Sequence, residues 1–337
     1  MNSKTRILIT GGAGFIGHHL VEHLLKNTDW KIVVLDKLTY ASNGLDRLRD
    51  INCFDDDRVS VLTADFAIPI SMGVIQEIGQ VDYILHLGAE THVDKSIENA
   101  EPFVTSNVLG TMYMLELARN MSRLKWFVMF STDEVYGPAK PGMFFEETDR
   151  YNCTNPYSAT KAAAEQLTLA YANTYGIPVF ITNTMNVFGE RQHIEKFIPS
   201  TIKKILNGET VLIHSDSTKT ISGSRFYIHG RNVASAMLFL LDNATVKESY
   251  NVVGELEVTN LDLAKQIASI LDKELKYEMV DFHSSRPGHD LRYALSNKKM
   301  VKMGWDVPML FKESLYRTVN WTLDSPKWLR IENGGVY

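Results

Sequence analysis

Cysteine is scarce: Cys53 and Cys153 are the only two in 337 residues, and they form no metal-ligand pattern. Unpaired thiols in a reducing compartment are therefore the default, and no metal is expected. Long apolar runs are missing as well, none approaching the ~18 residues of a membrane span. Met1-Asn2-Ser3-Lys4-Thr5 leads directly into a strand-like run, which leaves no room for a signal peptide, so a cytoplasmic protein is expected. There is no basic block, and 35 basic residues stand against 40 acidic ones for a net charge of −5. That balance argues against nucleic acid or a membrane surface as a partner. Internal repeats, low-complexity segments and Gly/Ser linkers are absent too. The chain exceeds the roughly 250–300 residues at which a single core stops growing, so two tightly interleaved lobes are expected.

What the chain does have is a nucleotide signature at its start. Arg6-Ile7-Leu8-Ile9-Thr10 reads as a strand, Gly11 to Gly17 as a glycine turn, and His18 to Lys26 as an amphipathic helix. Gly12, Gly14 and Gly17 have the dinucleotide spacing, which serves a tight turn, a close approach to pyrophosphate at a helix N-terminus, and close helix-to-strand packing. A second strand, Lys31 to Leu35, ends in Asp36, 19 residues after Gly17. A carboxylate there is expected to accept a hydrogen bond from the ribose 2′-hydroxyl of an adenosine. Asp36 would repel a 2′-phosphate, so NAD is the expected cofactor rather than NADP, despite Lys37 beside it.

The chemistry is concentrated further on. Trp126-Phe127-Val128-Met129-Phe130 is an unalternating apolar run, read as a strand buried on both faces of a parallel sheet. Ser131-Thr132-Asp133-Glu134 follows it, at the strand end where α/β folds keep their sites. Successive strand residues face opposite ways, so Asp133 and Glu134 must lie in the loop beyond to serve one ligand. After Asn155-Pro156, residues Tyr157 to Tyr175 are rich in helix formers. Tyr157 and Lys161, four apart, then share a face. A nearby ammonium is expected to lower the phenol's pKa and make Tyr157 a general base.

Strand-like runs at Val59 to Leu62, Tyr83 to Leu87 and Val179 to Thr182 complete an alternation with helices through the first half, which predicts an α/β Rossmann-type doubly wound parallel sheet. Asp65, just past the third strand, could accept a hydrogen bond from an adenine amine. Beyond Asn183 the alternation fails. The expected division is a dinucleotide-binding domain over 1–185, with a returning segment near 226–245 that includes a helix from Asn232 to Leu241, and a smaller, mainly substrate-binding lobe over 186–337.

Over nearly its whole length the chain resembles the extended short-chain dehydrogenases/reductases, and within them the nucleotide-sugar 4,6-dehydratases of the dTDP-glucose type. The carriers are Gly-Gly-Ala-Gly-Phe-Ile-Gly, Asp36 to Ala41, His86 to Ile97, Asn107, Ser131 to Gly137 with Tyr157 to Lys161, Thr182-Asn183 through Asn186, Glu195 to Pro199, and Arg286-Pro287-Gly288-His289-Asp290. The resemblance implies that NAD is held by Gly11, Gly12, Gly14, Phe15, Ile16, Gly17, Asp36, Lys37, Asp65, Phe66, Leu87 and Ala89, together with Tyr157 and Lys161. It implies catalysis by Thr132, Asp133, Glu134, Tyr157 and Lys161. His92, Asp94, Ser96, Thr132, Asn186, Lys196, Phe197, Arg225, Arg286 and His289 would contact a nucleotide-diphosphate sugar. It also implies a homodimer through a four-helix bundle built on Gly110 to Arg119 and Ala162 to Tyr175.

The implied reaction is an internal redox cycle: C4 oxidation of dTDP- or UDP-glucose, loss of water across C5 and C6, and hydride return to C6, with Glu134 ionised and Asp133 protonated. The Asp-Glu pair discriminates, since related epimerases lack it and glucuronate decarboxylases keep only the glutamate. The chain departs from the dTDP-glucose pattern at Met185-Asn186-Val187 and around Arg225, which leaves the base open. A 4-epimerase or decarboxylase of the same fold, and a nonenzymatic NAD-binding regulator, are the alternatives.

Overall fold

The structure is a computed structural model that describes residues 4–281 and 291–330. In its first half, strands and helices follow one another as β1 (Arg6–Thr10), α1 (Phe15–Asn27), β2 (Lys31–Asp36), β3 (Val59–Thr63), α2 (Met72–Ile78), β4 (Tyr83–His86), α3 (Val93–Glu98), α4 (Gly110–Arg119), β5 (Trp126–Thr132), α5 (Pro156–Tyr175) and β6 (Val179–Thr184). The second half holds β7 (Val187–Phe188), α6 (Phe197–Leu206), β8 (Val211–Ser215), β9 (Ser224–Phe226), β10 (Ile228–His229), α7 (Gly230–Asn243), β11 (Ser249–Val252), β12 (Glu257–Thr259), α8 (Asn260–Leu271), β13 (Tyr277–Asp281), α9 (Lys298–Lys302) and α10 (Phe311–Asp324).

Seven strands form one parallel sheet in the order β11-β6-β5-β4-β1-β2-β3. The reversal of direction beside β1 is the doubly wound topology, whose crevice lies beyond the C-terminal strand ends. β1, β2, β4, β5 and β6 are apolar and buried on both faces. On one face Leu20, Leu24, Val233 and Met237 of α1 and α7 cover them; on the other, Met114, Leu115, Ala164 and Ala172 of α4 and α5 do. The part of the chain that returns to the sheet extends past the expected 226–245, because β11 pairs with β6 as its edge strand and Met300 of α9 joins the same core. A separate core gathers Ile198, Ile202, Val211, Ile213, Leu263, Ile267 and Leu315 from the second half.

α5 owes its sharp start to Asn155, whose side chain accepts from Ser158 N at 2.8 Å while the Ser158 hydroxyl accepts from Asn155 N. Pro156 occupies the first turn, where its missing N–H costs nothing. Gly176, at φ +73°, ends the helix in the left-handed region.

Close approach, rather than turn geometry, makes Gly17 necessary. A Cβ there would sit 2.2 Å from Gly11 O and 2.5 Å from Gly12 Cα, both rigid backbone atoms. Gly73, in α2, has nothing within 4 Å of the same position. Gly17→Ala is therefore expected to lower stability by about 1–3 kcal/mol through overpacking, whereas Gly73→Ala leaves it unchanged or raises it by up to about 1 kcal/mol. Urea unfolding of the two variants beside the parent checks the contrast; equal midpoints for both would refute it.

Candidate active site

One continuous cavity runs along the C-terminal ends of β1, β4, β5 and β6. At one end Gly11, Gly14, Phe15, Ile16 and Gly17 line it. Gly14 caps α1 in extended conformation, and the first N–H groups of a helix have no partner within the helix. Gly12 faces away, packed so tightly that a Cβ would meet Val34 Cγ1 at 2.7 Å. Asp36 closes β2 with its carboxylate tied down: Oδ2 accepts from Ala13 N at 3.0 Å and Oδ1 from Leu38 N at 2.8 Å. Burial raises its pKa, against those two N–H groups and the charge of Arg47.

Lys37, Phe66, Leu87 and Ala89 also line this end, and Lys37 pairs with Glu90 at 3.7 Å. Asp65 does not reach the wall; its Oδ1 accepts from Ala67 N at 2.8 Å and shapes the turn that presents Phe66. A glycine cradle with no room for a Cβ, an unpaired helix start and a fixed carboxylate fit the pyrophosphate and ribose of NAD.

At the other end stand Thr132, Asp133, Glu134, Tyr157 and Lys161. β5 stops at Thr132, and a 3₁₀ turn over Asp133–Tyr136 brings both acids to the same cavity. Thr132 Oγ1 donates to Asp133 Oδ1 at 3.0 Å and accepts from Glu134 N at 3.3 Å. Asn155 Nδ2 donates to Glu134 Oε2 at 3.1 Å. Asp133 Oδ2 is buried and has no hydrogen-bond partner among the described residues.

Burial raises Asp133 to about 6. Burial and then the charge of Asp133 raise Glu134 to about 7. Both acids are thus pushed toward the neutral range, and they titrate as a coupled pair. Tyr157 departs from expectation. Its pKa goes up rather than down, through burial and the charge of Glu134, with a Thr132 hydrogen bond as the opposing effect. Lys161 turns its Nζ to Phe130 O, to which it donates at 2.5 Å. Burial lowers Lys161 to about 8, against the charge of Glu165.

Asn186, Lys196 and Phe197 line the cavity beyond the acids. Arg225 lies off the wall, its Nη1 donating to Ser224 O and Leu291 O at 2.7 and 2.6 Å, yet its charge lowers the pKa of Asp133 and of Glu134. His92, Asp94 and Ser96 are not on the wall either. Ser96 is buried, and its Oγ accepts from Tyr157 N at 3.1 Å, so it seats the tyrosine. Arg286 and His289 lie outside the described residues.

Sequence reasoning missed Arg47. It is fully buried, lines the cofactor end, and donates to Ala41 O, Ser42 O and Arg191 O. It also missed Glu165, which accepts from Ser131, Tyr151 and Asn183. The helical spacing from Lys161 was the available signal for Glu165; for Arg47 there was none.

A family model described as GDP-mannose 4,6 dehydratase matches residues 8–318. The chain is 35% identical to dTDP-glucose 4,6-dehydratase of Shigella flexneri, over 98% of this chain and 96% of that protein. It is also 35% identical, over 98% of its own length and 49% of the other's, to a trifunctional UDP-glucose 4,6-dehydratase/UDP-4-keto-6-deoxy-D-glucose 3,5-epimerase/UDP-4-keto-L-rhamnose-reductase of Arabidopsis thaliana. Among solved structures it superposes on DesIV, a dTDP-glucose 4,6-dehydratase of Streptomyces venezuelae with NAD and TYD bound, at a TM-score of 0.87 and 33% identity, covering 96% of this chain and 98% of that one.

Asp36→Ala leaves the buried N–H of Ala13 and the partly buried N–H of Leu38 without their acceptor, at about 1–3 kcal/mol for the buried one. NAD binding is expected to weaken at least tenfold and the preference for NAD over NADP to shrink. Titration calorimetry with both dinucleotides measures this; an unchanged ratio of affinities would leave Asp36 without a part in recognition.

Proposed function

The chain belongs to the nucleotide-sugar 4,6-dehydratases of the extended short-chain dehydrogenase/reductase family, and we propose that it converts dTDP- or UDP-glucose to the 4-keto-6-deoxy sugar. It is an NAD-dependent hydro-lyase. One observation carries the reading of its chemistry: two buried acids, Asp133 and Glu134, share a cavity with Tyr157 and Lys161. An epimerase or decarboxylase of this fold would leave Asp133 without a task.

NAD, when bound, would supply a cationic ring able to take hydride from C4 and return it to C6. Tyr157 must be in its phenolate form to accept the proton of the 4-hydroxyl, with Thr132 hydrogen-bonding the developing oxygen; the charges of bound NAD and of the Lys161 ammonium would offset the burial that holds the phenol neutral. The resulting ketone acidifies C5–H. Glu134 takes that proton, and Asp133, through its unpartnered Oδ2, protonates the departing 6-hydroxyl, so water leaves. Glu134 then returns its proton to C5. This assignment places the pair's single proton on Asp133, and the two pKa values lie close enough together for either acid to carry it.

Residues 1–185 with the returning segment hold NAD in this reading, and 186–337 mainly hold the sugar nucleotide. Asn186, Lys196 and Phe197 support it from the cavity wall; Arg286 and His289 belong to the same proposal. Arg225 acts at the acids, through its charge, rather than as a phosphate clamp on the wall.

Homodimerisation through α4 and α5 is part of the proposal. Met114, Leu115 and Leu117 of α4 are core residues, but Val104 and Leu109 in the turn before it are exposed and Met112, Tyr113, Leu167 and Leu169 half-buried. Light scattering at micromolar concentration is expected to give twice the chain mass, and a monomer would refute the pairing. Two free cysteines support a cytoplasmic location, and no helix among the described residues is long and apolar enough to cross a membrane.

Incubation with dTDP-, UDP-, CDP- and GDP-hexoses, followed by mass spectrometry, is expected to show loss of one water from a pyrimidine-linked glucose. Turnover of GDP-mannose alone would overturn the substrate. Tyr157→Phe is expected to block C4 oxidation, while Asp133→Asn oxidises normally and eliminates water about 100- to 10,000-fold more slowly. The pH dependence should separate the steps. Elimination needs one acid and one base, so it is fastest where the pair carries a single proton, between about 6 and 7, and declines on either side. Oxidation persists until Lys161 loses its proton near 8. Coincident profiles for the two steps would contradict this separation.

A further inference from the structure

No step above uses Glu165, although it is completely buried next to the machinery. It lies one helical turn past Lys161 on the inward face of α5. Three donors from three different segments converge on its carboxylate. Ser131 Oγ, near the end of β5, and Asn183 Nδ2, from β6 at 3.1 Å, donate to Oε1; the Tyr151 hydroxyl donates to Oε2. An amide nitrogen cannot accept a hydrogen bond; burial raises the Glu165 carboxyl's pKa, and the three donors and the charge of Lys161 oppose it, in favour of the ionised form. Lys161 is buried as deeply, and the hydrogen bond it makes is to the neutral carbonyl of Phe130. An ammonium so placed, without an opposite charge, sheds its proton.

We propose that Glu165 is the counter-charge that keeps Lys161 protonated, which makes it a positioning residue for the oxidation half of the reaction. The proposal rests on the dehydratase reading for the task of Lys161, not for its ionisation. Around the pair, Tyr157 on the same helix and Tyr136, Tyr151 and Cys153 from the segments packed on it are held neutral by burial. His86 on β4, lowered to about 3 by burial and then by Lys161, is neutral as well. Asp133 and Glu134 are the other acids at this end of β5, but the opposite charge that acts on Lys161 is that of Glu165.

The Lys161 Cε chemical shift, followed by NMR against pH in the protein without nucleotide sugar, reads the ionisation directly. The parent is expected to titrate near 8. Glu165→Gln should move that midpoint down by about 1–3 pH units, and Glu165→Asp, which keeps the charge, should restore it. The alkaline limb of sugar-dependent NADH formation should move with it. Identical midpoints for parent and Glu165→Gln would overturn the proposal, as would equal shifts in the Gln and Asp variants, which would point to packing. If the Gln variant does not fold, Tyr151→Phe, which removes one donor, should give a smaller downward shift, and no shift would count against the idea. A parent that dehydrates no nucleotide sugar but shows the expected titrations would fail the functional reading and leave the pairing intact.

Discussion

Lys161 reaches from α5 to the carbonyl of Phe130, and one residue further along β5 Ser131 reaches back to Glu165 on the same helix. These reciprocal polar contacts fasten a 20-residue helix to the end of a buried strand, where apolar packing alone would permit sliding. Everything reactive is measured from that joint. Tyr157 stands one turn before Lys161 and meets Thr132 one residue past Ser131. The start of the helix is held independently: Ser96 takes the Tyr157 N–H, and Asn107, in a π-helical segment that also clamps Glu90, donates to Thr160 at 3.0 Å. A helix pinned at several successive turns presents one side chain in one place.

The strand supplies what the helix cannot. A strand that continued past Thr132 would send Asp133 and Glu134 to opposite faces. The 3₁₀ turn breaks the alternation, and Asn155, which also caps α5, holds Glu134. Cap, turn and joint are thus one assembly, so a change at Asn155 reaches Glu134, the helix and the tyrosine together. At the far end of the cavity the constraint is different in kind. Gly17 is required by backbone contacts under 3 Å and Gly12 by the Val34 side chain at 2.7 Å, a fit that leaves no room for a side chain and needs no electrostatics.

That difference explains what could be read from the chain. The glycine turn, Asp36 and the Tyr157–Lys161 spacing are local patterns whose meaning is geometric, and each appears on the cavity wall. β1 has its expected bounds, and β6 is longer than expected by the two residues that carry it to Thr184. For Glu165 the spacing from Lys161 was legible but its hydrogen bonds were not, because its partners Tyr151, Ser131 and Asn183 come from three other segments. Arg47 had no pattern at all: its acceptors include Arg191, from beyond β6. Resemblance brought His92, Asp94 and Ser96 forward as one run, whereas the fold turns Ser96 inward as a support for Tyr157.

Charge was the least legible property, and for one reason. Spacing says which groups are neighbours, but a pKa depends on how far burial outweighs them, and here burial is the largest influence on Asp133, Glu134, Tyr157 and Lys161 alike. Its direction is the same for all three acids and opposite for the base: every group is pushed toward its neutral form. A site built this way holds its protons on the phenol and the carboxyl pair until charge enters from outside the protein's own set. The sugar diphosphate is anionic and the nicotinamide ring cationic, so the substrates of the reaction are also the charges that set its proton positions. Among these groups Lys161 is the one with an opposite charge buried behind it, that of Glu165, whose own carboxyl burial pushes up against its three donors and the charge of Lys161.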